Sequence, residues 1–146
     1  MIPEAINIGA SWKVLPQGVF DANLEEIESR FATNQIRRHL MKGLCKACKA
    51  LRKAGCKVVY VDGSFVSEKT FPGDYDVCWD PTGVDVKKLD LVFLDFSNGR
   101  KKQKLKYFGE FFPSSANADG SHTYLQFFRI EKETGLEKGI VRILLQ

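Results

Sequence analysis

Between Asn34 and Ala54 apolar side chains return every three or four positions. Ile36, Leu40, Leu44, Cys48 and Leu51 share one stripe, and Arg37, Arg38, Lys42, Lys46, Lys49 and Arg52 fall largely off it. That spacing predicts an amphipathic helix capped by Asn34 and stopped at Gly55. A shorter helix is expected upstream, with Asp21 as its N-cap and Leu24, Ile27 and Phe31 at helical spacing. Residues 1–20, punctuated by Pro3, Gly9, Pro16 and Gly18, read as an irregular lead-in with a short edge strand.

Beyond Gly55 the pattern shortens. Val58 to Val61 is an apolar, β-branched run that predicts a buried strand. Asp74 to Trp79 returns to strand character and is closed by the turn chemistry of "DPTG". Residues 84–105 fit a helix through Leu89, Val92, Phe93 and Phe96, or a strand from Leu91 to Phe96; helix or irregular structure is the preferred reading. Lys106 to Phe112 is expected as a strand ended by Pro113, and Thr123 to Ile130 as another. Ile140 to Leu145 closes the chain, and the last two strands are expected to form a hairpin. Helices first and a largely mixed sheet afterwards make an α+β (α/β) fold, with the N-terminal helices on one face of the sheet. A chain of 146 residues fits a single domain, 1–146, able to bury its own core.

Composition adds little to this: 44% hydrophobic and 27% charged residues are ordinary for a globular chain. No apolar run approaches the roughly 20 residues of a membrane span, and the first residues lack the build of a secretory signal, so a cytoplasmic protein without a membrane partner is expected. Cys45, Cys48, Cys56 and Cys78 lack the second CxxC pair of a zinc ribbon, and Cys48 falls on the helical stripe as a small core residue. The net charge is +4, but Arg100, Lys101, Lys102, Lys104 and Lys106 crowd one segment. Such a run is either a solvated face or a patch that contacts phosphates.

The candidate chemistry lies just after the strand expected at Val58–Val61 and on the strand expected at Asp74–Trp79. In a strand, residues two apart point the same way, so Asp74 and Asp76 set two carboxylates on one face. Like charges that close are costly unless something positive sits between them, and Mg²⁺ or Mn²⁺ with phosphate ligands is the economical answer. Gly63 and Ser64 follow the buried strand, where glycine permits close backbone approach and serine offers a hydroxyl and N–H groups to phosphate oxygens. Lys69 is a further candidate phosphate contact. Asp62 is expected to serve the turn or to support the site from behind, while His39 and His122 stand isolated and are assigned no catalytic role.

A strand ending in GS followed by DxD on the next strand, here "VDGSFVSEKTFPGDYDV", resembles the nucleotidyltransferase superfamily that includes polymerase-beta-like enzymes and minimal nucleotidyltransferases. "LPQGVFDANLEEIESRFATN", "WDPTGVD", "YFGEFFP" and "KGIVRILL" extend the likeness to a group of short bacterial nucleotidyltransferase-like proteins, over roughly residues 12–145. The resemblance implies transfer of a nucleoside monophosphate from an NTP, ATP foremost, to an acceptor hydroxyl. Gly63 and Ser64 would hold the terminal phosphates, and Asp74 and Asp76 would hold two metal ions about 3.5–4 Å apart. It also implies a third carboxylate on a neighbouring strand. Glu110, flanked by Phe108 and Phe112, is favoured for it over Asp95.

The acceptor implied by the likeness is a partner protein, such as a toxin in a toxin–antitoxin or defence system, or an RNA such as tRNA. The alternative is a catalytically inactive nucleotidyltransferase fold that serves as a nucleotide-binding or partner-binding regulatory subunit. A third reading, nucleic-acid binding without catalysis, would use the basic run and an exposed aromatic such as Tyr107.

Overall fold

The chain from Met1 to Gln146 is described by a computed structural model. Its first two helices form where the periodicity places them. Helix α1 (Leu24–Phe31) opens with a capping box in which Asn23 and Glu26 satisfy each other's backbone N–H groups, and it buries Ile27 and Phe31. Asn23 therefore caps this helix, not Asp21; Asp21 ends strand β1 (Gly18–Asp21) and accepts a forked pair of bonds from Arg142 at 2.5 and 2.9 Å. Helix α2 (Gln35–Lys53) is capped by Asn34 and buries Leu40, Met41, Leu44, Ala47, Cys48 and Leu51. Ile36 lies outside that stripe and is exposed, whereas Arg37 turns inward.

Three further strands lie within or beside the predicted runs: β2 (Val58–Asp62), β3 (Asp76–Trp79) and β4 (Glu110–Pro113). With β5 (Gly139–Leu144) they form a five-stranded mixed sheet in the order β1-β5-β2-β3-β4, parallel at the two outer pairings and antiparallel within. The fold is α+β, as expected. Val59, Val61, Val77, Phe111, Val141 and Ile143 point from the sheet into one core with α1 and α2. Fully burying each such side chain is worth roughly 1.5–3 kcal/mol. The opposite face carries Tyr60, Cys78 and Phe112 in one cross-strand row, and a small cluster around Phe128 covers them.

Several expectations fail in the second half. Residues 106–112 are not one strand: Ser97–Tyr107 is helix α3, and β4 begins only at Glu110. Gln103 and Tyr107, one helical turn apart, are the buried positions of α3. The Gln103 side chain donates to the Phe111 carbonyl at 3.2 Å and accepts its N–H at 2.8 Å, so it satisfies the backbone of edge strand β4 as a neighbouring strand would. Tyr107 is 2% exposed and offers no free aromatic surface. Thr123 to Ile130 is likewise no strand; a capping box between Thr123 and Gln126 opens the short helix α4 (Tyr124–Phe127). The expected terminal hairpin is reduced to one isolated antiparallel bridge, Ile130 to Glu137, and β5 pairs instead with β1 and β2. Asp74 precedes β3 rather than lying within it.

Candidate functional site: three carboxylates beside a glycine-serine turn

Strand β2 ends at Asp62, and the chain turns at Gly63 with φ +86° into a single 3₁₀ turn, Ser64–Val66. Only glycine takes that backbone without strain. It is also a matter of space, since a Cβ at Gly63 would stand 2.8 Å from the Asp76 carboxylate. The loop is held from beneath by Arg37. Its guanidinium, 4% exposed, donates to the carbonyls of Phe31 (3.1 Å), Phe65 (2.7 Å), Ser67 (2.8 Å) and Lys69, and has no carboxylate partner. A buried cation is thus used as a rigid hub for main-chain oxygens.

The register sets an acidic row across three strands: Asp62 opposes Asp76, and Asp76 opposes Glu110. Asp62 is drawn aside into a buried ion pair with Lys138. Asp74, two residues before the strand's first, takes its place, so that Asp74, Asp76 and Glu110 each bring a carboxylate oxygen within 4.8 Å of the others. All three are half-buried. Tyr75 points the other way into the core, where its hydroxyl donates to the Tyr107 carbonyl at 2.6 Å.

The cluster sorts its own charge. Burial, then repulsion from Asp62, Asp74 and Glu110, drives the Asp76 carboxyl well above the ordinary aspartate range. Asp74 is raised for the same reasons, burial first and Glu110 next. Glu110 moves down: burial opposes its ionisation, but bonds from Lys104 and Arg100 prevail. Arg100 contacts Glu110 Oε1 at 3.0 and 3.1 Å and Lys104 contacts the same oxygen at 3.1 Å, leaving Oε2 free of them.

Beside the carboxylates opens a cleft of about 350 Å³. Gly63, Ser64, Lys69, Asp74 and Asp76 all line it; Glu110 completes the carboxylate group from the next strand without forming the wall. The Lys69 ammonium lies 4.7 Å from the Trp12 ring centre on the far rim. Ser11 bonds Glu133 through its N–H and hydroxyl at 2.8–3.0 Å, which ties the lead-in segment to the turn after Ile130. Asp95 stands apart, bonded to Ser97 at 2.5 Å and paired with Lys102 at 3.4 Å.

Trp12 and Lys138 are site residues that the sequence did not point to. Arg100 and Lys104 belong to the basic run, for which a solvated face and a phosphate-contacting patch were both open, but nothing in the run pointed to Glu110 as their partner. All four cysteines are free. Burial pushes the Cys48 thiol up to about 12, which agrees with an inert core residue.

Residues 8–144 match the model of DUF6932, described as a family of unknown function. The chain belongs to DUF6932. No curated protein and no solved structure matches it. The DUF6932 match covers both the glycine-serine turn and all three carboxylates. No helix of the chain is long and apolar enough to cross a membrane.

A divalent cation fits this donor set on chemical grounds. The three converging side chains offer only hard oxygen ligands, which suit Mg²⁺ or Mn²⁺ rather than softer metals. Burial first and neighbouring carboxylates next raise the Asp74 and Asp76 carboxyls, so ionising them together calls for a cation at the cluster. Gly63 keeps clear the space against Asp76 that any larger residue would fill.

Proposed function

We propose that this DUF6932 chain is a metal-dependent nucleotidyltransferase that moves a nucleoside monophosphate from an NTP, ATP foremost, to a hydroxyl of a protein or RNA. The observation that carries the reading is the convergence of Asp74, Asp76 and Glu110 beside the Gly63–Ser64 turn, at the mouth of a cleft. Asp74, Asp76 and Glu110 would hold Mg²⁺ or Mn²⁺, which when bound supplies charge neutralisation for an in-line phosphoryl displacement. The Ser64 hydroxyl and the N–H groups of its turn would cradle the terminal phosphates, with Lys69 reaching them from the rim. The protein's contribution is positioning: Arg37 fixes the loop, and the β2–β3–β4 register fixes the carboxylates. Likeness of "VDGSFVSEKTFPGDYDV" to the nucleotidyltransferase superfamily points the same way. Free thiols throughout agree with a reducing compartment, the cytoplasm, and a toxin–antitoxin or defence setting is part of the same proposal.

A second reading has its own observation. Glu110 is engaged by both Arg100 and Lys104, the arrangement expected of a fold that has given up its metal and kept a nucleotide- or partner-binding role. Incubation with α-phosphate-labelled ATP and Mn²⁺ in the presence of total RNA and protein separates the two. Label on a macromolecule, abolished by Asp74→Asn with Asp76→Asn, is the expected result. Metal-independent NTP binding with no label transferred from any of the four NTPs would overturn the enzyme reading and favour the second.

A further inference from the structure

The charge of the molecule is divided between two regions. Helices α2 and α3 hold twelve of its 22 basic residues and none of its 18 acidic ones, leaving ten basic against 18 acidic elsewhere. A solvated helix face ordinarily alternates signs, because like charges three and four positions apart repel. Helix α2 does the opposite: His39, Lys42, Lys46, Lys49 and Lys53 run down one exposed stripe. None of its basic side chains meets a carboxylate, although eight ion pairs form elsewhere. Its first turn lacks an acidic residue as well, against the preference of the helix dipole.

The stripe adjoins α3. Gly43 lets the end of α3 press directly on α2, since a Cβ there would stand 1.9 Å from the Tyr107 carbonyl. Lys46 from α2 and Lys106 from α3 both lie over the Tyr107 ring, at 5.6 and 5.5 Å from its centre, Lys106 while paired with Asp90. Arg100, Lys102 and Lys104 also have carboxylate partners, so Lys101 is the one exposed, unpaired cation that α3 adds to those of α2. At the seam sits a strained aromatic. Phe108 caps α3 in the left-handed region, φ +66° and ψ +21°, where glycine would be at ease. Its ring stacks on exposed His39 with centres 4.0 Å apart and planes 27° from parallel. Phe108 is half-buried against the core, and strain held there by its surroundings is a reason to ask what the residue does.

We infer that the α2–α3 face is a docking surface for single-stranded nucleic acid. The unpaired lysines take the phosphodiester backbone, and the His39–Phe108 pair offers a stacking platform for an unpaired base. The surface lies across the sheet from the three carboxylates and does not depend on their chemistry. Its α3 end reaches Glu110 through Arg100 and Lys104, which brings a bound strand to the border of the cleft.

The test is fluorescence anisotropy with a labelled oligo(U) of about 20 nucleotides, titrated from about 50 to 300 mM salt. Binding should weaken with salt at a log–log slope near −0.7 per phosphate contacted. Lys42→Glu, Lys46→Glu and Lys49→Glu together should lower affinity at least about tenfold and flatten that slope. His39→Ala should lower affinity about threefold or more with the slope unchanged, which separates stacking from charge. Asp74→Asn with Asp76→Asn should leave binding intact, so failure of the metal site and failure of this surface are distinguishable. These exposed substitutions should leave the thermal transition within a few degrees of wild type. No binding at the lowest salt, undiminished binding by the triple variant, preference for a duplex of equal length, or equal binding of polyglutamate would each overturn the inference, the last in favour of an acidic protein partner.

Discussion

Gly63 and Arg37 constrain the same loop from opposite sides. Gly63→Ala puts a methyl against Asp76 in a backbone region that L-residues avoid. It should cost about 1–2 kcal/mol of stability and lower Mn²⁺ affinity at least about tenfold by calorimetry. Arg37→Met removes the donors that hold carbonyls from Phe31 to Lys69, leaving buried acceptors unmet. A loss of about 3 kcal/mol in urea unfolding is expected, together with weaker NTP binding.

Asp76 gives a pH signature. Its carboxyl is raised in the folded protein, so the folded state holds more protons than the unfolded one between the two pKa values. The contribution of Asp76 to metal-free stability is therefore full below the ordinary aspartate pKa and is lost as pH rises through the folded value. With chelator present, Asp76→Asn should melt about 3 °C or more above wild type at pH 8, and the gap should close toward pH 4. Melting curves across that range check it; an unchanged gap would contradict the charge assignment. Gly63, Ser64, Asp74 and Asp76 were legible because a glycine-serine step after an apolar run, and two carboxylates two positions apart, are local patterns, although Asp74 lies ahead of β3 and not within it. Arg37 was not, because helical periodicity assigns an arginine to solvent and says nothing of carbonyls from another segment. The Asp62–Lys138 pair joins residues 76 apart and left no local trace.

At the level of elements, α3 and β4 decide how the third carboxylate behaves. Asn98, Gly99 and Arg100 hold left-handed backbone before the regular part of α3, with φ of 51°, 65° and 63°. Arg100 from this turn stacks over Phe112 and grips Glu110. These cations compete with a metal for the charge of the same carboxylate. Arg100→Ala with Lys104→Ala should raise Mn²⁺ affinity about 3–10-fold, in line with two partly exposed ion pairs worth up to about 1 kcal/mol each. Unchanged or weaker affinity would mean that these residues shape the site instead of blocking it. Helices α1 and α2 and strand β2 could be read from the sequence because each repeats its period over enough residues. Helix α3 and the four-residue α4 could not. In α3 only Gln103 and Tyr107 are buried, and α4 rests on one capping box among aromatics that favour strands. The position of β5 between β1 and β2 is a tertiary outcome: a hairpin is the local default, and core burial of Val141 and Ile143 overrides it.

For the molecule as a whole, one sheet separates two chemistries. The core and helix α2 with its unpaired cations occupy one side, the carboxylates, the glycine-serine turn and the cleft occupy the other, and Arg100 and Lys104 of α3 reach Glu110 at the β4 edge. A net charge of +4 conceals this division, which becomes visible only when α2 and α3 are seen side by side. The proposed function rests on the acidic side acting as a metal and triphosphate site. Calorimetry of NTP binding with and without Mg²⁺ or Mn²⁺, in wild type and in the Asp74→Asn, Asp76→Asn double variant, tests that claim most directly. Metal-dependent binding in wild type, lost in a variant that still melts cooperatively, is the predicted result. A folded wild-type protein that binds none of the four NTPs, with or without metal, would contradict it.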